Sequence, residues 1–362
     1  MTGPTAGAAP IDRRATVAEL GGWGAILADV VASRTLSAEQ ITAVMESVLG
    51  GEASPAQIAG FIVGLRTRGE TAGEIGAALA VMERHGVTVP LTAEQLAGAI
   101  CTCGTGGDRS GSINVSTIAA FVVAGAGGSV CKHGGRAASS LAGSADVLEA
   151  LGVAIEISPE GVAACVSEAG VGFCFAPRFH PAMRYAGPVR RELGVPTIFN
   201  ILGPLANPGR IRRQLVGVAD AAMAPLVADV LAARPGTRAA VVRGDDGLDE
   251  ITTTTTTTVR WVIDGEVRTE RIDPAALGLR PATTEDLRGG DPAHNAAAAR
   301  RVLEGAPGAH RDIVVLNAGA ALVVAGRADD LSAGMAAAAA SLDSGAAAAA
   351  LGAMVETSRR YV

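Results

Sequence analysis

Hydrophobic and polar positions change their period once along this chain, near residue 96. Before that point the apolar residues fall at helical spacing. Ile58, Phe61, Ile62 and Leu65 stand at i, i+3, i+4 and i+7 and make one apolar stripe. Three helix starts carry Ser or Thr followed three residues on by Gln or Glu: Ser37 with Gln40, Ser54 with Gln57, and Thr71 with Glu74. In that arrangement side chain and backbone cap each other. Pro55 takes a first helical position, where its missing N–H costs nothing. These signs predict a small helical domain over residues 17–88, preceded by a flexible tail at 1–16 that holds Pro4 and Pro10.

Beyond that point short apolar runs alternate with helical segments. The runs at 97–103, 129–132, 153–157, 171–175, 215–218 and 238–243 read as strands, and 115–126, 145–151, 159–169 and 221–233 as helices between them. The pattern predicts an α/β protein: a small N-terminal helical domain plus a large domain, residues 89–362, with a mostly parallel sheet flanked by helices. Ligands then belong at the carboxyl ends of the strands. The stretch 177–209 breaks the rhythm with Pro177, Pro181, Pro188, Pro196, Pro204 and Pro208. It is expected to return to the helical domain, so that the chain crosses the cleft more than once.

Composition narrows the function. Aromatic residues are only 3% of the chain and the formal charge is −6, so there are few rings to stack on bases and no general attraction to nucleic acid. The longest uncharged apolar run, 118–131, is too short and too rich in glycine to span a bilayer. No targeting segment is visible. Five cysteines without a CxxC pair read as reduced, buried thiols of a cytoplasmic protein.

Three motifs carry chemistry, and each follows an expected strand. In "CGTGGDRSGSINVST" a strand runs into Gly104, Gly106, Gly107 and Asp108, and a helix begins near Ser116. Glycines let backbone N–H groups approach a phosphate, and the helix start adds a favourable partial charge. Ser112, Asn114, Ser116 and Thr117 add polar donors. The motif fits neither a P-loop nor a dinucleotide fingerprint. A tight turn with a helix cap would need fewer polar residues than crowd this one.

"KHGGRAASS" follows the next strand. Lys132 and Arg136 suit phosphate oxygens, and Ser139, Ser140 and Ser144 can donate to them. Alone, such a loop is most often a solvated surface. Beside a glycine-rich anion loop it points to a polyphosphate. "RGDDGLDE" supplies Asp245, Asp246, Asp249 and Glu250 after a further strand. Asp245-Asp246-Gly247 has the composition of a turn, which leaves Asp249 and Glu250 as the pair suited to magnesium, an ion that takes few carboxylates together with substrate oxygens and water. Arg190 and Arg191, in "GPVRREL", could each pair with a carboxylate on a second substrate; a surface salt bridge competes with that reading strongly for Arg191 and weakly for Arg190. His85, His294 and His310 read as surface positions.

Taken together, "CGTGGD", "KHGGRAASS…GSADVLEALG", "FCFAPRFHPAMR…PVRRELGVPTIFNILGPLANP" and "GDDGLDEITTT" resemble the anthranilate phosphoribosyltransferase family of tryptophan biosynthesis, from about Val17 to the C-terminus and in the family's order. The resemblance implies a nucleoside phosphorylase-type fold, usually a homodimer, that uses Mg2+ to move the phosphoribosyl group of phosphoribosyl pyrophosphate onto the amine of anthranilate. Carried over by motif, Gly104, Gly107, Asp108, Asn114, Ser116, Thr117 and Lys132 would hold pyrophosphate and its metal, with Ser112 and Ser144 on the phosphoribosyl group. Ser116, Asp249 and Glu250 match the metal-linked positions, while Gly104, His133, Gly135 and Arg190 would face anthranilate.

One position departs. Where the family usually has "KHGNR", this chain has Gly135, and the missing asparagine normally contacts anthranilate. That raises a second acceptor class, other aromatic amines. A pyrimidine nucleoside phosphorylase shares the architecture but lacks the "PVRREL" and "NILGPLANP" resemblance. A non-catalytic paralogue that binds nucleic acid is opposed by the intact Asp249-Glu250 pair and the acidic balance.

Overall fold

The computed structural model describes residues 14–137 and 141–362. Ser139, Ser140 and residues 1–13 of the expected tail lie outside the described residues. Four helices, Gly22–Val31, Ala38–Gly50, Pro55–Arg68 and Ala72–His85, form the amino-terminal part. All three capping boxes are made, and Ser37, Ser54 and Thr71 each accept from the backbone N–H three residues on. The helices bury Ile41, Met45, Ile58, Phe61, Ile62, Leu65 and Ile75 completely or nearly so. Trp23 meets Phe61 edge-on at 6.4 Å.

The larger part is built on one seven-stranded sheet in the order β3-β2-β1-β4-β5-β6-β7. Its strands are β1 (Ala99–Gly104), β2 (Ser129–Gly134), β3 (Val171–Phe175), β4 (Arg213–Gly217), β5 (Arg238–Gly244), β6 (Thr257–Ile263) and β7 (Glu266–Ile272). The first five in the spatial order run parallel, and β6 and β7 are antiparallel. Two expectations change here. Residues 153–157 bury Val153, Ile155 and Ile157 but join no ladder, because Ser358 Oγ, on the helix Ala346–Arg359, takes the Ala154 N–H at 3.1 Å in place of a neighbouring strand. The hairpin of β6 and β7 has no counterpart among the expected strands, although Asp264 and Gly265 at its turn both have positive φ, at 52° and 84°, as a two-residue hairpin loop requires.

The proline-rich excursion forms the helices Ala176–Phe179, Met183–Leu193 and Ile198–Leu205. The second packs on Ala38–Gly50 and Pro55–Arg68, and the third on Ala72–His85. Two backbone bonds, Val87 N–H to Phe179 O at 2.8 Å and Val89 N–H to Pro208 O at 3.1 Å, sew the segment that leaves the amino-terminal helices to the excursion. Glu83 also binds both Arg210 and Arg234, and Arg66 binds Asp220. Among the described residues no single helix is long and apolar enough to cross a membrane.

Candidate active site

The parallel strands β1, β2, β4 and β5 all end on glycine, and the polar loops gather over those ends. The crowding there is severe. A Cβ on Gly217 would lie 1.6 Å from the Asp249 carbonyl oxygen, and one on Gly104 would lie 2.4 Å from Asp249 Oδ2. Only strands without side chains at their tips let Asp249 settle against the sheet.

From Gly104 the chain turns through Gly106 and Gly107, both at positive φ, and Gly106 N–H donates to Asp249 Oδ2 at 2.8 Å. Asp108 accepts from Ser110 Oγ at 2.7 Å, and that hydroxyl also lies 3.1 Å from Ser112 Oγ. The helix Val115–Gly125 starts immediately after Asn114, whose side chain makes no cap bond to it. Ser116 N–H in the first turn donates to Glu250 Oε1 at 3.1 Å.

Lys132 is 3% exposed on β2, yet among the described residues no carboxylate pairs with it directly. Its Nζ donates to Thr102 O at 2.5 Å and to Ser116 Oγ at 3.1 Å. Burial pulls this amine below its ordinary pKa, and Glu250 and Asp249 are among the charges that hold it up. Burial pushes Asp249 up to about 7, with Asp108 adding repulsion, and pushes Glu250 up to about 8, with Asp249 adding to it. Two hard carboxylates that among the described residues make no direct ion pair, with a serine hydroxyl beside them, fit magnesium. Among the described residues no three acidic, His or Cys side chains form a ready-made metal cage.

The other acidic pair is structural. Asp246 accepts from Thr252 Oγ1 at 2.8 Å and Thr254 Oγ1 at 2.5 Å, while Asp245 accepts from Thr256 Oγ1 and pairs with Arg271, each at 2.5 Å. The threonine run is thus a loop tied to a turn, and only its last residues enter β6.

On the opposite face of β2 from Lys132, His133 Nδ1 lies 2.9 Å from Gly203 O and so carries the proton, while its buried Nε2 has no partner among the described residues. Burial pushes His133 down to about 3 and the neighbouring His180 down to about 4, so both rings are neutral. Their centroids are 5.0 Å apart. Arg190, on Met183–Leu193, stands 5.4 Å over the Phe199 ring and 3.5 Å from Asn200 Oδ1, and among the described residues no carboxylate pairs with it. An unpaired, half-buried guanidinium beside an aromatic ring suits an aromatic carboxylate.

The family model described as glycosyl transferase family, a/b domain matches residues 96–348, and that described as glycosyl transferase family, helical bundle domain matches 25–86. The anthranilate phosphoribosyltransferase of Salinispora arenicola (strain CNS-205) is 51% identical over 339 residues, covering 92% of this chain and 96% of its own. The chain belongs to the anthranilate phosphoribosyltransferase family. The crystal structure of the anthranilate phosphoribosyltransferase from Thermus thermophilus superposes with a TM-score of 0.86 at 41% identity, covering 92% of this chain and 99% of that one. The anthranilate phosphoribosyltransferase from Saccharomyces cerevisiae in complex with phosphoribosyl pyrophosphate and Mg gives 0.84 at 26% identity, covering 93% and 98%.

Within this anthranilate phosphoribosyltransferase fold, Gly104, Gly107, Asp108, Ser112, Asn114, Ser116, Lys132, Asp249 and Glu250 lie around the ends of β1, β2 and β5. Ser144 starts the helix Ser144–Leu151, close enough to Gly134 that a Cβ there would lie 2.8 Å from its Oγ. Arg136 is placed differently from a free phosphate ligand. Its guanidinium pairs with Asp146 at 2.9 Å and Glu149 at 2.5 Å, which raise its pKa further and tie it to that helix. Thr117 is buried, and among the described residues its hydroxyl has no hydrogen-bond partner.

Three polar side chains take places in the fold that the sequence motifs do not assign. His180 lies in the quoted "FCFAPRFHPAMR" stretch yet shows its contact with His133 only in the fold. His310, read as a surface position, is half-buried, with its Nε2 unpartnered. Asn317, fully buried on Ala309–Val324, accepts the Ile251 N–H at 2.9 Å and donates to the Ile251 carbonyl at 2.8 Å, gripping the residue after Glu250. An asparagine in an otherwise apolar "VVLNAGAAL" run is the one signal that marks it.

Proposed function

We propose that this chain transfers the phosphoribosyl group of phosphoribosyl pyrophosphate to the amine of anthranilate, releasing pyrophosphate, in tryptophan biosynthesis. The observation that carries the reading is the meeting, over glycine strand ends, of buried Lys132 with the destabilised carboxyls of Asp249 and Glu250. A magnesium pyrophosphate would complete that charge balance, with positive charge for the carboxyls and negative charge for the amine.

In this reading the Gly104–Asp108 loop, Ser112, Asn114, Ser116, Ser144 and Lys132 bind the donor. Asp249 and Glu250, with Ser116, would hold Mg2+, whose charge when bound offsets that of the leaving pyrophosphate. The bond from the ribose C1 to pyrophosphate breaks, the bond from C1 to the amine nitrogen forms, and the amine then loses a proton. Arg190 fixes the anthranilate carboxylate and so aims the amine. Neutral His133, whose Nδ1–H is held by the Gly203 carbonyl, carries no proton on Nε2 and can only accept there. The resemblance to the family supports a cytoplasmic homodimer.

A second reading keeps the reaction and changes the acceptor. A Cβ on Gly135 would meet nothing closer than Ala176 Cβ at 3.9 Å, which leaves room for a substituted aromatic amine. Loss of anthranilate fluorescence on mixing protein, phosphoribosyl pyrophosphate and Mg2+ tests the first reading. Rapid loss that needs both donor and Mg2+ supports it. Fluorescence that persists with folded protein that still binds the donor discards anthranilate and leaves the substituted amines.

A further inference from the structure

A chain of two side-chain amides runs between backbone groups of fixed polarity. At one end the Gly290 N–H, which can only donate, meets Asn295 Oδ1 at 2.7 Å. At the other the Ala142 carbonyl, which can only accept, receives Asn114 Nδ2 at 3.1 Å. Between them Asn295 Nδ2 donates to Asn114 Oδ1 at 2.9 Å. An asparagine amide turns over readily in a pocket that tolerates it, because its oxygen and nitrogen are of similar size. Here neither can turn. Reversing either one sets oxygen against oxygen or N–H against N–H, and Asn295 is 3% exposed, so no water is at hand to relieve the mismatch.

The surroundings make the chain rigid. Asn295 lies in the first turn of Pro292–Leu303, which Asp291 caps by accepting the His294 N–H at 2.8 Å. The strap just before that helix is bonded to the donor loop, with Gly289 N–H to Gly111 O at 2.7 Å and Ile113 N–H to Leu287 O at 3.1 Å. A Cβ on Gly289 would lie 2.7 Å from both Asn295 Oδ1 and Ser112 O. Strap, asparagine and loop therefore pack as one unit.

We infer that Asn295 is a positioning residue for the donor site: it acts through Asn114, fixing which way that amide presents its nitrogen and tying the loop before Val115 to the one before Ser144. The inference rests on the proposed transfer reaction. It assigns a role to the segment around 287–295, which none of the sequence motifs marks.

The test measures rates with each substrate varied, together with calorimetric binding of phosphoribosyl pyrophosphate with Mg2+, for wild type, Asn295→Asp and Asn295→Ala. Asn295→Asp keeps the shape and the acceptor for Gly290 but replaces the donor to Asn114. Asn114 must then turn its nitrogen toward the new carboxylate and release Ala142. The expected result is a KM for the donor raised about ten-fold in Asn295→Asp and about two- to five-fold in Asn295→Ala, with the KM for anthranilate and kcat within about two-fold of wild type. In an Asn114→Ala background, Asn295→Asp should change donor affinity less than about two-fold, because the partner it acts through is gone.

An unchanged donor KM in Asn295→Asp overturns the inference. So do equal rises in both KM values with a lowered melting temperature, the mark of a merely structural role, and so does full additivity with Asn114→Ala. Wild type that binds the donor but transfers nothing to anthranilate would sink the proposed reaction instead, and donor calorimetry would still judge Asn295.

Discussion

Two acidic pairs stand four residues apart in one loop and behave in opposite ways. Asp245 and Asp246 are surrounded by donors, three threonine hydroxyls and Arg271 among them. Asp249 and Glu250 each accept a backbone N–H, from Gly106 and Ser116, but burial, with Asp108 repelling the first and Asp249 the second, pushes their carboxyls up to about 7 and about 8. The first pair closes a turn, and the second waits for positive charge. Two arginines repeat the lesson. Arg136 is neutralised by Asp146 and Glu149, and Arg190 has no carboxylate partner among the described residues. Residue type does not separate structure from function here; the missing partner does.

The contrast predicts very different variants. Asp249→Asn or Glu250→Gln should lower kcat/KM by about a hundred-fold or more, since each removes charge stabilisation at the reacting phosphates. Asp246→Ala should instead cost about 1–3 kcal/mol of stability, read by denaturant unfolding, and leave turnover in place. Equal catalytic losses from both pairs would erase the distinction. Arg190→Gln should raise the KM for anthranilate roughly ten- to hundred-fold with little effect on donor binding, the expected cost of a lost charged hydrogen-bond pair.

A smaller effect tests the electrostatics alone. Asp249 and Glu250 keep their protons in the fold to about pH 7 and 8, whereas the unfolded chain releases them in the ordinary carboxylate range. The folded state therefore binds more protons between those limits, and metal-free protein should lose thermal stability as pH rises from about 5 to about 8. The double variant Asp249→Asn with Glu250→Gln should flatten that slope. A wild-type midpoint that climbs across the same window would contradict the assignment. Smallest of all, Gly135→Asn should lower the KM for anthranilate about two- to twelve-fold, by one neutral hydrogen bond.

Much of this is written in the chain where the signal is local. Capping boxes name their helices because both partners lie within one turn, and Ser37, Ser54 and Thr71 all make the bonds their spacing implies. The glycine loop, Lys132 and the Asp249-Glu250 pair are legible because each lies in a polar motif at or just beyond the carboxyl end of a strand. What escapes is non-local. Residues 153–157 alternate like a strand, but a serine some two hundred residues later takes the place of a ladder partner. The hairpin turn at Asp264-Gly265 hides behind a threonine run that dominates its neighbourhood. Arg136 looks free in the sequence because its two carboxylates lie ten and thirteen residues on and reach it only once Ser144–Leu151 is a helix.

Strand β2 carries one further consequence. Lys132 bonds to Ser116 on one side of the sheet, and its neighbour His133 meets Gly203 on the other. Side chains along a strand alternate strictly, so a single residue added or removed upstream in β2 would turn the histidine toward Ser116 and the lysine toward Gly203. The strand is a two-sided key, and lengthening it by one tooth would exchange its two faces.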